Sequence, residues 1–286
     1  MSISVIITTY NDSEYLESAI NSVVLQDVLP DEILVIDDGS TIKGAKEIVS
    51  KFKKSKVNIN YFYKENSGPS SARNYGVKKA SSEYITFLDA DDVWLPNNLG
   101  HKINLIESYS YRNKIFGVYG SFIYSDTRLI REFSVVNPGE SNKQLVSHVG
   151  KEHGIPGGLP SYLINRYAYI DVGGFDENLT INEDFDLIIR FLLSGYFLCG
   201  DSSPGFIRTM REESLTRNNN HLLTYSRIVS FLEKAKENDY FSDGELRKRR
   251  IDAALSTAKK MIAGNKYELG GYKLVISAFL MRIRFL

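Results

Sequence analysis

Three carboxylates in four residues, Asp89-Ala90-Asp91-Asp92, directly follow the apolar run Tyr84-Ile85-Thr86-Phe87-Leu88. Neighbouring carboxylates repel one another and lose hydration at the lip of a sheet, so such a cluster calls for a hard divalent cation or a ring of donors. The plainer reading is a set of acids at the dipole of a helix opened by Pro96, which does not require three of them. A second pair, Asp37-Asp38, follows Ile33-Leu34-Val35-Ile36 and precedes Gly39-Ser40. There a carboxylate could accept from an imide N–H or a ribose hydroxyl, while Asp-Gly is equally a common turn dipeptide. Two acidic strand ends imply one cleft.

Two further stretches could add to it. Glu65-Asn66-Ser67-Gly68-Pro69-Ser70-Ser71-Ala72-Arg73-Asn74 joins a strand to a helix through small, hydroxylated residues. Backbone N–H groups in such a loop can meet an anion; Arg73, one turn inside the helix, can pair with a carboxylate or a phosphate, or serve in a surface salt bridge. Asn182-Glu183-Asp184-Phe185-Asp186 opens a helix whose apolar face is Leu187, Ile188, Phe191 and Leu192. Position alone makes these acids caps, and only the other carboxylate clusters raise Asp184 as a general base.

The elements that must position these groups alternate over the first hundred residues. The spacing predicts strands at Ser4–Thr9, Glu32–Ile36, Asn58–Tyr63 and Tyr84–Leu88, with helices at Glu14–Leu25, Gly44–Lys53 and Ser70–Ala80 between them. Short, β-branched strands of this kind suit a mostly parallel sheet covered on both faces, whose ligands sit beyond the carboxyl ends of the strands. Thr8-Thr9-Tyr10, Asp37-Asp38 and Asp89-Asp91 all fall there. After Pro96 the expected order is a helix near Leu99–Ser108, a hairpin from Phe116–Ser125 and Arg128–Val136, and a glycine-rich loop from Gly150 to Gly158. Helices at Arg166–Val172 and Asp184–Leu193 follow, and then a helical tail, His221–Glu237 and Glu245–Ala263, behind the polar run Arg217-Asn218-Asn219-Asn220. The predicted boundary lies near Arg217, giving a domain over 1–217, with a nucleotide-binding half over about 1–96 and an acceptor half over about 97–217, and a helical extension over 218–286.

The 286 residues carry 35 Lys+Arg against 35 Asp+Glu, which gives no case for a nucleic-acid partner. The balance hides an asymmetry: from Glu245 to Leu286 ten Lys/Arg stand against three acids, so the body before it is acidic. Arg247-Lys248-Arg249-Arg250, Lys259-Lys260 and the apolar stretch ending in Arg282 and Arg284 suit either a peripheral contact with an anionic membrane or a packed cap or dimer face. Cys199, the single cysteine, excludes an intrachain disulfide and a multi-cysteine zinc site, fits a reducing cytoplasm, and is best read as core packing. His153 and His221 have no second His or Cys at metal spacing and are read as solvated residues. Met1-Ser2-Ile3-Ser4-Val5 runs into a strand without a basic leader, and the apolar run Leu274–Met281 is far shorter than the roughly 20 residues of a spanning helix.

Taken together, Val5-Ile6-Ile7-Thr8-Thr9-Tyr10-Asn11, Val35-Ile36-Asp37-Asp38-Gly39-Ser40, Asn66-Ser67-Gly68-Pro69-Ser70-Ser71-Ala72-Arg73-Asn74-Tyr75-Gly76, Phe87-Leu88-Asp89-Ala90-Asp91-Asp92, and Gly173-Gly174-Phe175-Asp176-Glu177 with Glu183-Asp184 resemble the family 2 glycosyltransferases of the GT-A fold, in the family's order. The likeness runs from Ser2 to about Thr216 and leaves out the helical tail. It implies an α/β, Rossmann-like, mostly parallel central sheet flanked by helices. It also implies inverting transfer from a nucleotide-diphosphate sugar, usually a UDP-sugar, to a hydroxyl of a saccharide or lipid-linked saccharide in bacterial surface polysaccharide or glycolipid assembly, at the inner face of the membrane. Carried over, Thr8 and Tyr10 flank the base, Asp38 accepts from the uracil N–H with Asp37 nearby, and Arg73 braces the nucleotide pocket. Asp91 becomes the direct ligand of Mn²⁺ or Mg²⁺, Asp89 contacts ribose or metal-bound water, and Asp184 takes the proton from the acceptor hydroxyl. Asp92, Glu183 and Arg211 are expected near the diphosphate or acceptor. Arg211 precedes Ser214-Leu215-Thr216 where members often carry a histidine.

Two other readings compete. Leu88-Asp89-Ala90-Asp91-Asp92-Val93 also resembles the nucleophile motif of haloacid dehalogenase-type phosphatases, which would make Asp89 the nucleophile. That motif normally lies on the first strand of its domain, and three strand signals precede it here. A non-catalytic nucleotide-sugar binder would have no need of Asp184.

Overall fold

The computed structural model describes residues 1–109, 115–126, 130–131, 142–150, 155, 158–210, 220–263, 273, 274 and 277. The first strand, β1 (Ile3–Thr9), leads through α1 (Ser13–Val24) to β2 (Glu32–Asp38), then through α2 (Ala45–Lys51) to β3 (Asn58–Lys64) and through α3 (Pro69–Lys79) to β4 (Tyr84–Asp89). β1 pairs in parallel with both β2 and β4, and β2 with β3, so the expected parallel order holds over this half. Every residue of β2 is buried, as a strand covered on both faces requires. α1 turns Leu16, Ala19, Ile20 and Val23 into the core, at helical spacing. α3 lies so close to the sheet that a Cβ on Gly76 would stand 2.4 Å from Ile6 Cγ2.

Beyond β4 the chain adds β5 (Val93–Trp94), α4 (Asn98–Ser108), β6 (Ile115–Tyr124), β7 (Ile130–Arg131) and α5 (Asn142–His148). A 3-10 turn at Leu159–Ser161 then leads to β8 (Tyr162–Asn165), α6 (Arg166–Asp171), α7 (Glu183–Leu193) and β9 (Phe197–Arg208). Among the described residues the strands form one sheet in the order β3-β2-β1-β4-β8-β6-β9-β5, with β7 beside β6. β8 runs antiparallel to β4 and to β6, which makes the whole sheet mixed. The expected hairpin is met by the antiparallel pair β6–β7 at Ile130–Arg131, and the rest of its second strand, 128–129 and 132–136, lies outside the described residues. β5, β8, β9 and α5 were not among the predicted elements: β5 and β8 are too short for periodicity to show, and β9 is interrupted by Asp201-Ser202-Ser203-Pro204.

Two compact units divide the chain: Met1–Glu177 with Leu187–Met210, and Asn178–Asp186 with Arg211–Leu286. The first holds the sheet and its core, in which Cys199 is fully buried as expected. The second contains the first turn of α7 with α8 (His221–Glu237) and α9 (Asp243–Ala263). Asn220 caps α8, its carboxamide oxygen accepting from Leu223 N at 3.0 Å. Asn178–Asp186 groups with these helices rather than with the rest of 1–217 for a specific reason. Asp186 is fully buried, ion-paired to Lys234 Nζ at 2.8 Å and bonded by the Tyr240 hydroxyl at 3.0 Å.

Candidate functional site

From β1 the chain moves outward to β2 and β3 and returns to β4 on the other side of β1. A crevice at the carboxyl ends of an open α/β sheet is expected at such a reversal. The two strand ends meet in register there, Thr8 opposite Asp89. Thr8 Oγ1 donates to Asp89 Oδ1 at 3.2 Å, and Arg73 Nη2 donates to the same oxygen at 2.9 Å. Thr8 therefore braces Asp89. Arg73 is buried, while the Asp89 side chain keeps 36% of its exposure, so the carboxylate rather than the guanidinium faces outward. Burial works against ionisation of Asp89, but Arg73, Arg208 and the Thr8 hydroxyl outweigh it and hold the group below its ordinary range.

At the end of β2 the two aspartates have separate employment. Asp37 accepts from Ser40 N at 2.8 Å through Oδ1 and from the Tyr61 hydroxyl at 2.7 Å through Oδ2, the bonding of a turn. Asp38 accepts from Lys64 Nζ at 2.5 Å, Ser67 N at 3.1 Å and Gly68 N at 2.8 Å. The anion met by the loop before α3 is thus the Asp38 carboxylate itself. Gly39 lets the turn pass close to this loop: its φ is +78°, and a Cβ there would lie 2.5 Å from Asn66 N. Tyr10, just past β1, leaves 47% of its surface exposed. Asn11 ties the loops after β1 and β2 together, its Oδ1 accepting from Thr41 N at 2.8 Å and Ile42 N at 3.0 Å.

The acidic cluster separates by burial. Asp92 is buried and accepts from Thr209 N at 2.9 Å. Burial and the charges of Asp89 and Asp91 push its carboxyl well above the ordinary range, against the opposing pull of the Thr209 N–H and Arg208. Asp91 is half-buried. No three His, Cys, Asp or Glu side chains converge on one point among the described residues. Both protein contacts of Asp89 use Oδ1. Two partly exposed carboxylates, Asp89 and Asp91, fit a hard cation that draws its other ligands from phosphates and water.

Arg208, at the end of β9, was not singled out from the sequence, although its charge acts on both Asp89 and Asp92. Its signal was the apolar pair Phe206-Ile207 running into a cation. Arg211, the cation that sequence reasoning chose, lies outside the described residues, as do His153 and most of the loop 151–157. In the second unit Glu183, Asp184 and Asp186 occupy the first turn of α7, where Asp184 Oδ1 accepts from Phe185 N at 2.8 Å. His221 opens α8.

Residues 4–155 match the model of the glycosyl transferase family 2. An uncharacterized glycosyltransferase of Rickettsia conorii is 35% identical over 191 residues, covering 65% of this chain and 30% of the relative. Another, from Rickettsia felis, is 34% identical over 196 residues, covering 66% of this chain and 31% of its own. The chain thus spans about a third of the length of these relatives. Among solved structures, S. aureus TarS 1–349 in complex with UDP-GlcNAc superposes with a TM-score of 0.69 at 20% identity, covering 97% of this chain and 79% of that one.

Proposed function

Because the chain belongs to glycosyl transferase family 2 and has an α/β fold of the GT-A kind, we propose that it transfers a sugar from a nucleotide-diphosphate donor, a UDP-sugar, to an acceptor hydroxyl with inversion. The observation that carries this reading is the meeting of Thr8, Arg73 and Asp89 at the strand reversal, with Tyr10 exposed two residues beyond Thr8. TarS was solved with UDP-GlcNAc, which supports the same donor class, an N-acetylhexosamine or hexose nucleotide. Tyr10 and Asp38 would receive the base, Asp38 exchanging one of its loop N–H donors for the uracil N–H, with Asp37 holding the turn. Asp89 would meet the ribose through Oδ2, with Arg73 and Thr8 fixing it.

Asp91, helped by Asp89, would hold Mn²⁺ or Mg²⁺. Such an ion would supply positive charge against the negative charge that builds on the leaving nucleotide diphosphate. Arg208 adds a protein cation on that side, and Arg211 and Asp92 complete the group of candidate diphosphate contacts. Asp184, with Glu183 beside it, would take the proton from the acceptor oxygen as that oxygen attacks opposite the leaving group, which needs no second carboxylate as nucleophile. The acceptor belongs to surface polysaccharide or glycolipid assembly on this reading, with the basic C-terminal helices resting on an anionic membrane. A phosphatase would place its nucleophile on the first strand of the domain, whereas Asp89 ends the fourth.

A thermal-shift panel of nucleotides with and without Mn²⁺ tests the donor class, since a ligand of the native state alone raises the melting temperature by mass action. UDP with Mn²⁺ is expected to give the largest shift. A shift with GDP or a phosphorylated sugar and none with UDP would overturn the assignment.

A further inference from the structure

Asn74, one residue after Arg73, uses its whole carboxamide. Its Nδ2 donates to Phe175 O at 3.0 Å and to Glu177 Oε1 at 2.8 Å; its Oδ1 accepts from Phe175 N at 3.0 Å and from the Tyr169 hydroxyl at 2.6 Å. Two donors and two acceptors are all that an amide offers, so these partners also fix which way it faces. Phe175 is held at both its N–H and its C=O by one side chain, as a neighbouring strand would hold it. That grip aims the ring. Phe175 packs edge-on against Phe87 of β4 at 5.8 Å between centroids, and the Arg73 guanidinium carbon lies 5.6 Å from the Phe175 ring centroid. The same guanidinium donates to Asp89.

We propose that Asn74 is a positioning residue: it fixes Phe175, and Phe175 fixes the Arg73 guanidinium that orients Asp89 in the donor crevice. Consecutive residues of α3 thereby join the segment Gly173–Glu177 to the acidic end of β4, all within the first unit. The energetic logic is that a cation over an aromatic face gains only when the ring is presented to it. A tumbling Phe175 would take that aromatic face away from Arg73. The Glu177 carboxyl responds to the same amide, since the Asn74 hydrogen bond is the main cause holding it below its ordinary range. The consequence for donor binding rests on the nucleotide-sugar reading above.

The test compares wild type, Asn74→Ala, Phe175→Leu and the double variant in two measurements. One is the NMR order parameter of the Arg73 Nε–H without ligand; the other is the Kd of UDP with Mn²⁺ by calorimetry. Each single variant is expected to lower the order parameter and weaken UDP by about fivefold to tenfold, with the double variant no worse than either, the mark of residues acting in series. Arg73 as ordered in Asn74→Ala as in wild type, or losses that multiply in the double variant, would overturn the proposal. Should Asn74→Ala not fold, Asn74→Asp keeps the size but turns a carboxylate oxygen toward Phe175 O and Glu177, and the same loss of Arg73 order is expected. If wild type does not bind UDP, the donor assignment fails, and the Arg73 order parameter still decides the role of Asn74.

Discussion

On the proposed function Asp91 and Asp184 would serve different steps, so their substitutions should separate in measurement. Asp91→Ala is expected to abolish the Mn²⁺-dependent part of UDP binding, read by calorimetry with and without the ion. Asp184→Asn should bind UDP as wild type does yet lose at least about a hundredfold in transfer, the scale of general base catalysis; equal turnover would remove Asp184 from that role. Lys102 supplies a pH dependence unrelated to the site. Its side chain is buried between Gly120 and Gly205 and donates to Asn98. Burial lowers its pKa from 10.5 to about 8, against the raising influence of Asp201. Between these values the unfolded chain holds a proton that the folded one has released, so stability rises with pH across that window and the cost of charging Lys102 is full below it. Lys102→Met should therefore raise the melting temperature at pH 7, by about 1–3 kcal/mol in stability, with the gain shrinking toward pH 10. A gain that does not depend on pH would mean that packing, rather than the buried charge, sets it. At this scale the sequence was legible in residue type and less so in employment. Asp37 and Asp38 were found by their position after a strand, but the partners that occupy them, Tyr61 and Lys64, stand on another strand and gave no local signal.

Elements were legible where a period had room to repeat. β1–β4 and α1–α3 fall within about a turn of their predicted bounds because buried strands and an amphipathic helix leave long apolar signatures. β8 and β5 could not show one, and both depend on pairing with distant strands. The first turn of α7 shows the same limit in another way. Its acids look alike in sequence, yet Asp186 is buried and paired with Lys234 while Asp184 is half-buried. Lys234→Met would remove the cation paired with the buried Asp186 carboxylate while leaving the Tyr240 hydroxyl bond in place. Removing one partner of a buried pair typically costs about 3–5 kcal/mol, and Lys234 keeps 23% of its exposure, so about 2–4 kcal/mol is expected here. Denaturant unfolding measures it. Because Asp184 precedes Asp186 in the same helical turn, transfer activity should fall in that variant even at temperatures where it remains folded; unchanged activity would show that the turn holds its shape without the pair.

On the scale of the whole molecule, the acidic body and basic tail found in the composition acquire surfaces. Among the described residues no helix is long and apolar enough to cross a membrane. α9 nevertheless exposes Lys248, Asp252, Leu255, Lys259 and Ile262 at helical spacing on one side, Leu255 and Ile262 keeping 38% and 47% of their surface, while Lys260 flanks that side and Arg250 is exposed on the opposite one. One member of the basic run is spent inside the unit: the Arg249 guanidinium carbon lies 4.0 Å from the Phe241 ring centroid, where burial lowers its pKa. The side with Leu255 and Ile262, where Lys248 and Lys259 outnumber Asp252 and Lys260 flanks them, matches an anionic lipid surface by its excess charge and a headgroup boundary by its apolar pair. Each cation near such a surface is worth about 1 kcal/mol, screened within a Debye length of about 10 Å at 0.1 M salt. Co-sedimentation with vesicles containing phosphatidylserine should accordingly be strong at low salt, weaken steeply as salt rises, and fall by about tenfold or more in Lys259→Glu/Lys260→Glu. The same charge reversal should leave UDP binding unchanged, because neither lysine belongs to the unit that holds Asp38, Arg73 and Asp89. Equal sedimentation with neutral and anionic vesicles, or none with either, would assign the face to a packed cap or to a second copy of the chain, which analytical ultracentrifugation at rising concentration would then detect.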